Sequence, residues 1–216
     1  MDNNIDLSGL DLPDKEKRIL EATIQISNEK GFSRTTTSEI AKRAGVAEGT
    51  IFRYFKTKKD ILHGIMLHAI RIAADKLVLS SVEKLLDNQE QNDLRTVLKA
   101  ILLDRLELVQ KYFPMFRVVL SEALFHEDIR NALFENVILK IIPSITRFFD
   151  SMVETGQIRN DLQPIIIARS VLGSFITFIG QRMLFPGGLE ISKIGMDIDS
   201  TLDIIINGIS PQQNKN

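Results

Sequence analysis

Apolar residues recur three and four positions apart along most of the 216-residue chain, and the alternating pattern typical of β-strands is scarce. This pattern predicts an all-α protein. A first helix should begin near Pro13 and Asp14, because proline is favoured at the first helical position. It should end at Gly31, since a glycine commonly follows the last residue of a helix.

Two short helices are predicted next, between residues 37 and 55. Thr37 or Ser38 should cap the first of them, and Gly45 should end it. The second should run from about residue 48 to Phe55. Two short helices joined by a glycine-containing turn of three or four residues are typical of a helix-turn-helix unit.

A long helix should follow from Lys58, with Thr57 as its cap and Asp60 completing a capping box. Beyond it, polar breaks at 87–93, 155–164 and 185–188 separate further helices.

Two prolines should interrupt the C-terminal helices, since proline cannot continue a helix without loss. One helix should end at Tyr112 and another should start at Pro114, and Pro143 should kink or break a helix over 128–154. An apolar helix is predicted over 165–184 and a last one over 196–209.

Charge is unevenly distributed, although the formal net charge is only -1. Residues 13–60 hold eleven Lys/Arg and seven Asp/Glu, a local balance of +4. A basic segment points weakly to nucleic acid, and a solvated helical face explains it equally well.

Composition excludes several classes of function. Cysteine is absent, which excludes disulfides, thiolate metal sites and thiol nucleophiles and fits a reducing cytosol. Residues 1–12 are polar and acidic without an apolar signal core, and we predict a flexible tail there. We therefore expect a soluble, cytoplasmic protein without membrane partners.

The second helix of the helix-turn-helix unit would bury one face and place the other in a DNA major groove. Ile51 and Phe55 lie four positions apart and form the inward face, whereas Arg53 points outward. Hydroxyls and free N–H groups at helix starts suit phosphate oxygens. The predicted DNA-binding residues are Thr36, Thr37, Ser38, Ala47, Glu48, Gly49, Thr50, Arg53, Tyr54 and Lys58.

The stretch GFSRTTTSEIAKRAGVAEGTIFRYFKTKKDIL (31–62) resembles the DNA-binding segment of TetR/AcrR-type transcriptional regulators. The resemblance rests on the Thr-rich cap, the Ala44-Gly45-Val46 turn, the GTIFRYF helix and the KTKKDIL start of the next helix. Phe52 departs from it, because many members carry there a tyrosine that contacts phosphate. No hydroxyl contact is therefore expected at Phe52.

The resemblance implies a homodimer of all-helical subunits, in which a small ligand relieves repression. It implies a three-helix DNA-binding domain over 13–57 and a helical domain for ligand binding and dimerisation over 58–216. The expected partners are a palindromic DNA operator, a second copy of the chain and a small hydrophobic ligand.

The helix over 165–184 is apolar almost all round and should be buried on most sides. We expect a second subunit to cover one side, giving a four-helix interface about a two-fold axis. A core helix without a partner is the alternative. The predicted interface residues are Val171, Gly173, Thr177, Gly180, Leu202, Ile205 and Ile209.

Aromatic residues and methionines concentrate between residues 112 and 183, as in the apolar pockets of helical bundles. A few polar residues on the same helices are candidates to orient a hydrophobic or amphipathic ligand. A plain core with methionine filling gaps is the alternative. The predicted ligand-binding residues are Arg105, Phe113, Phe116, Glu122, Phe148, Met152, Arg169, Phe175 and Phe178.

Nothing in the sequence suggests an enzyme, a cofactor or a metal. The three histidines lack a metal-binding spacing, and no phosphate loop, nucleophile elbow or paired carboxylates stand out. We therefore expect a DNA-binding repressor released by a ligand. The alternative is a DNA-bound factor of the same fold that recruits a protein partner.

Overall fold

The computed structural model describes residues 5, 7, 11–73, 93–184 and 194–209, and every regular element in these residues is helical. One π-helical turn is present at Phe134–Ile138. The α-helices are α1 (Asp14–Lys30), α2 (Thr37–Ala44), α3 (Glu48–Tyr54), α4 (Lys58–Ala73), α5 (Leu94–Ala123), α6 (Glu127–Leu133), α7 (Leu139–Glu154), α8 (Pro164–Leu184) and α9 (Ile194–Ile209).

The described residues form two compact units. The N-terminal unit contains the residues up to 73 together with 108–137, and the C-terminal unit contains 93–107 together with the residues from 138 onward. This division differs from the predicted boundary after residue 57. Helix α4 packs on α1, and the second half of α5 buries its apolar residues in the same unit.

Helix α1 is the centre of the N-terminal unit and packs against α2, α3 and α4. The most deeply buried side chains of this unit are Leu7, Ile19, Leu20, Ile24, Ile40, Ile51, Ile61, Leu62, Ile65, Met115 and Ile129. The prediction of a loose tail over 1–12 is wrong at two positions. Ile5 and Leu7 are buried, and the backbone N–H of Leu7 donates to Glu21 Oε1 at 3.2 Å.

The predicted ends of α1 and α2 are confirmed. Gly31 has φ 84°, and Gly45 has φ 63° and ψ 41°, the left-handed conformation that glycine adopts without strain. The Gly45 N–H donates back to Lys42 O, and the Val46 N–H donates to Ala41 O at 3.0 Å. The chain therefore reverses tightly enough to start α3 three residues later.

The start of α2 differs from the prediction by one residue. Thr36, rather than Thr37 or Ser38, is the N-cap. The Glu39 N–H donates to Thr36 Oγ1, and Glu39 Oε2 accepts from the Thr36 N–H, which completes a capping box. The box predicted at Thr57 and Asp60 is confirmed, with Thr57 N donating to Asp60 Oδ2 at 2.8 Å.

Pro114 does not start a helix and Pro143 does not break one, contrary to the prediction. Pro114 lies inside the continuous helix α5, and its carbonyl accepts from Asn28 Nδ2 at 2.8 Å. The same amide also donates to Ile24 O, so Asn28 fastens α1 to α5 at the proline. Pro143 lies inside α7, and the irregular turn comes just before that helix, at the π-helical residues 134–138.

The C-terminal unit has one apolar core, to which α5, α7, α8 and α9 all contribute. Val171, Leu202 and Ile209 belong to this core and are at most 7% exposed. They were predicted in a subunit interface, and that prediction is wrong because the chain's own helices already cover them.

Much of α8 is exposed or half-buried. Only 17% of the window 164–181 is buried, although its length and apolarity would suffice for a membrane span. One such helix is weak evidence for a membrane, because the core helix of a protein without a membrane span passes the same test.

Replacing Gly45 with alanine should destabilise the protein by about 1–2 kcal/mol, because a Cβ is strained in the left-handed conformation. The nearest atom to that Cβ, Arg18 Nη1, would be 3.7 Å away, so crowding adds nothing. Urea unfolding measures the change. Gly45→Asn is the matched control and should lose clearly less free energy of unfolding, since asparagine tolerates this conformation. Equal losses in the two variants would contradict the backbone explanation.

Candidate nucleic-acid interface

Helix α3 exposes one face and buries the other. Ile51 is fully buried and Phe55, which follows the helix, is 7% exposed. At about 100° per residue, Arg53 lies directly opposite the direction of these two side chains. Gly49 and Arg53 are exposed and Thr50 and Tyr54 are half-buried, so the predicted inward and outward faces agree with the burial.

Phe55 packs on α4 at a glycine. A Cβ at Gly64 would lie 3.0 Å from Phe55 Cε1 and 3.4 Å from Leu20 Cδ2. Gly64 therefore allows the ring that follows α3 to lie directly on the α4 backbone. The sequence analysis missed this residue, although an isolated glycine within a helical pattern is the signal for such a close approach.

Lys58 was predicted to bind DNA, but its side chain contacts the protein instead. Its ammonium donates to three backbone carbonyls, Phe32 O at 3.0 Å, Ser33 O at 3.1 Å and Thr35 O at 2.9 Å. The nitrogen also lies 4.6 Å from the centre of the Phe32 ring. Because a lysine has three N–H donors, none remains for a phosphate, and the side chain instead closes the loop between α1 and α2.

The starts of α2 and α3 are joined by one hydrogen bond. Thr37 Oγ1 donates to Glu48 Oε1 at 2.6 Å, so these two predicted DNA-binding residues contact each other. Thr36 is engaged in the capping box, and hydrogen bonds from Lys30 and Thr36 lower the pKa of Glu39 to about 2. Ser38, Ala47 and Gly49 are exposed beside them.

Ion pairs neutralise part of the basic charge of the N-terminal helices. Lys30 pairs with Glu39, and Arg43 pairs with Glu29, and each of these pairs is partly exposed. Arg53 has no carboxylate partner among the described residues, and its guanidinium lies 5.3 Å from the centre of the Tyr54 ring. The exposed face of α3 therefore presents a guanidinium without a carboxylate partner among the described residues.

The predicted ligand-binding residues are divided between the two units. In the N-terminal unit, Phe113 and Phe116 are half-buried, and Glu122 is buried beside His126, with 3.4 Å between Oε2 and Nε2. Glu122 lines a cleft of about 260 Å³ between the end of α1 and the second half of α5. Arg34 and Arg117 line the same cleft.

In the C-terminal unit, Phe148 and Met152 are buried in the core, and Phe175 and Phe178 line a cavity of about 30 Å³. Arg105 is 7% exposed and lies 3.3 Å from Asp104, and burial lowers the pKa of its guanidinium. Arg169 is exposed on α8, so the structure does not bring it into this core.

Of the predicted interface residues, Gly173 and Thr177 are exposed on α8, and Gly180 and Ile205 are half-buried. Within the described part of the chain, no group of three or more metal-ligating side chains is present.

Comparisons with known proteins agree with this geometry. Residues 19–65 match the family model for bacterial regulatory proteins of the TetR family. The nucleoid occlusion factor SlmA of Glaesserella parasuis is 26% identical over 172 residues, which cover 79% of this chain and 80% of that protein.

Two solved structures show the same fold at low identity. The TetR-family regulator PfmR of Thermus thermophilus has a TM-score of 0.69 at 20% identity, and the alignment covers 91% of this chain and all of that one (100%). The regulator FadR of Bacillus subtilis, solved with stearoyl-CoA, has a TM-score of 0.62 at 20% identity, covering 89% and 98%.

The matched segment contains α2, α3 and the first half of α4, together with the end of α1 that supports them. A short helix held against this support, with one face exposed, is the DNA-binding element of a helix-turn-helix protein. The chain belongs to the TetR family of bacterial regulatory proteins and is a non-enzymatic, DNA-binding transcription regulator.

Proposed function

We propose that this protein is a homodimeric, cytoplasmic repressor that binds a palindromic operator and is released by a small hydrophobic or amphipathic ligand. The observation that carries the DNA-binding part is the exposed face of α3, with Arg53 at its centre and no carboxylate partner among the described residues. An arginine presented in this way matches the two acceptors of guanine in the major groove.

Around Arg53, exposed and half-buried polar groups suit the DNA backbone. The hydroxyls of Ser38 and Thr50 and the phenol of Tyr54 can donate to phosphate oxygens. Gly49 is exposed, and a Cβ there would meet no atom within 4 Å, so nothing of the protein obstructs a close approach by the duplex. Lys58 is excluded from this set by its bonds to the α1–α2 loop.

Dimerisation through α8 is supported by its exposed apolar face. Leu172 is 37% exposed and Ile176 is 66% exposed, and Ile204 of α9 is 76% exposed. The hydroxyls on α8 donate to their own helix, as Thr177 Oγ1 does to Gly173 O at 2.8 Å, and Ser170 and Ser174 do likewise. The face therefore offers methyl groups rather than unsatisfied donors, which suits a second copy packed about a two-fold axis.

The ligand part of the proposal rests on the C-terminal unit. Buried aromatic and methionine side chains of α7 can repack around an apolar chain, and Arg105 of α5 is a buried cation in the same unit. FadR of Bacillus subtilis was solved with stearoyl-CoA, an amphipathic ligand with an acyl chain. A ligand of this class fits the proposal.

A second candidate function is a DNA-bound factor that recruits a protein and needs no small ligand. Two observations favour it. The cavity in the C-terminal unit measures only about 30 Å³, which holds about one water molecule. The similar SlmA proteins are named as nucleoid occlusion factors.

Arg53→Ala should weaken binding to the operator by about 1–3 kcal/mol and relax the preference at one base pair of each half-site. The operator is first obtained by selecting duplexes from a random library with the wild-type protein, and the affinities are then measured by fluorescence anisotropy. Arg147→Ala, which removes the same charge from an exposed position of α7, is the control and should bind as the wild type does. Unchanged affinity and preference in Arg53→Ala would refute a base contact.

Lys58→Met should destabilise the protein by about 2–3 kcal/mol, because it leaves three carbonyls without their charged donor. It should leave the salt dependence of operator binding unchanged. Loss of a phosphate contact would instead reduce the slope of log binding constant against log salt concentration by about one. Lys56→Met removes an exposed lysine two positions earlier and should not affect stability. A reduced salt slope with unchanged stability for Lys58→Met would restore the phosphate role.

Ile176→Glu should dissociate the dimer, because it places two carboxylates at an apolar interface related by symmetry. We expect the dimer dissociation constant to rise by about 100-fold or more, as measured by analytical ultracentrifugation. Leu67→Glu on α4 is the matched control, since Leu67 is 61% exposed, and it should stay dimeric. A dimeric Ile176→Glu protein would remove α8 from the interface.

A further inference from the structure

Phe52 is an apolar side chain on the charged face of the protein. It lies on α3 next to Arg53 and is 49% exposed. Among the described residues it has no ring or cation contact, in contrast to Tyr54, which lies beneath the Arg53 guanidinium. Leaving so large an apolar ring in water gives up the free energy that its burial would contribute. Its exposure beside Arg53 leaves the ring available to contact DNA.

The position of Phe52 on the helix determines what it can meet. Relative to the shared direction of Ile51 and Phe55, Arg53 lies about 180° away, and Phe52 and Tyr54 lie about 80° away on opposite flanks. If Arg53 points at the base edges, Phe52 lies to one side of it, between the floor of the groove and its wall. Its ring is then within reach of the base pairs next to the one that Arg53 contacts.

The apolar side chain of Phe52 limits which groups of the DNA it can contact. A phenylalanine has no hydroxyl, so a phosphate on the groove wall offers it no hydrogen bond. The base edges of the major groove present donors and acceptors, and they present one apolar group, the C5-methyl of thymine. Phenylalanine is among the side chains that contact this methyl group in protein–DNA complexes.

We propose that Phe52 packs against a thymine C5-methyl and makes the operator require thymine at one position of each half-site, beside the base pair contacted by Arg53. This inference rests on the proposed DNA-binding function. It gives Phe52 a direct role in specificity, in place of the phosphate contact that a tyrosine would make there.

Removing single thymine methyl groups from the DNA tests the proposal. In the duplex selected with the wild-type protein, each thymine is replaced in turn by deoxyuridine, which removes only the methyl group, and Kd is measured by fluorescence anisotropy. We expect one thymine per half-site at which the change weakens wild-type binding by about threefold to tenfold. The other thymines should give smaller effects.

The protein variant completes the comparison. Phe52→Ala should bind the thymine duplex more weakly and lose its sensitivity to deoxyuridine at that same position. Phe52→Leu keeps an apolar side chain without a hydroxyl and should keep most of the sensitivity. Thermal unfolding should be nearly unchanged in both variants, because the side chain is half exposed.

The outcomes separate this inference from the proposed function. If no duplex is selected, the DNA-binding proposal itself fails. If a duplex is selected and Arg53→Ala weakens its binding, but deoxyuridine has no effect at any position, the role of Phe52 is refuted and the proposed function stands. Equal sensitivity of wild type and Phe52→Ala would also refute it, because the methyl group would then contact another residue.

Discussion

Seven residues are too few for a helix to persist in water, since isolated helices shorter than roughly 12–15 residues are marginal even with favourable sequences. Helix α3 therefore exists only where its buried side packs. Ile51 and Phe55 supply that side, and Gly64 lets the Phe55 ring lie on the α4 backbone. The arrangement of the whole N-terminal unit follows from this requirement, because α1, α2 and α4 must converge on one short helix.

Several polar side chains near α3 form hydrogen bonds within the protein, and only the others are available to contact DNA. Lys58 donates all its hydrogens to the α1–α2 loop, and Glu48 accepts from Thr37. The ammonium donors of Lys58 are therefore not available to DNA. Arg53 and Phe52 are left outward, one cationic and one apolar. A polar anchor and an apolar neighbour on one helix are a combination suited to discriminating among base pairs.

The sequence predicted the helix-turn-helix closely, because its signals are local. Gly45, the Thr57–Asp60 box and the spacing of Ile51 and Phe55 each act within one turn of helix. The errors concern partners distant in the chain. Lys58 meets carbonyls 23–26 residues away, Pro114 meets Asn28 at a separation of 86, and Val171, Leu202 and Ile209 share a core drawn from four helices. Competition for such partners is decided by the tertiary fold, which local patterns do not encode.

The bonds of Lys58 also set its chemical reactivity. An amine that attacks an acylating reagent must first release a proton and expose its lone pair, and this nitrogen is held by three carbonyls and covered by the Phe32 ring. Lys56 and Lys59 nearby are exposed. Acylation of Lys58 therefore requires the loop between α1 and α2 to open, so its labelling rate, set against that of its neighbours, reports how often the DNA-binding unit locally unfolds.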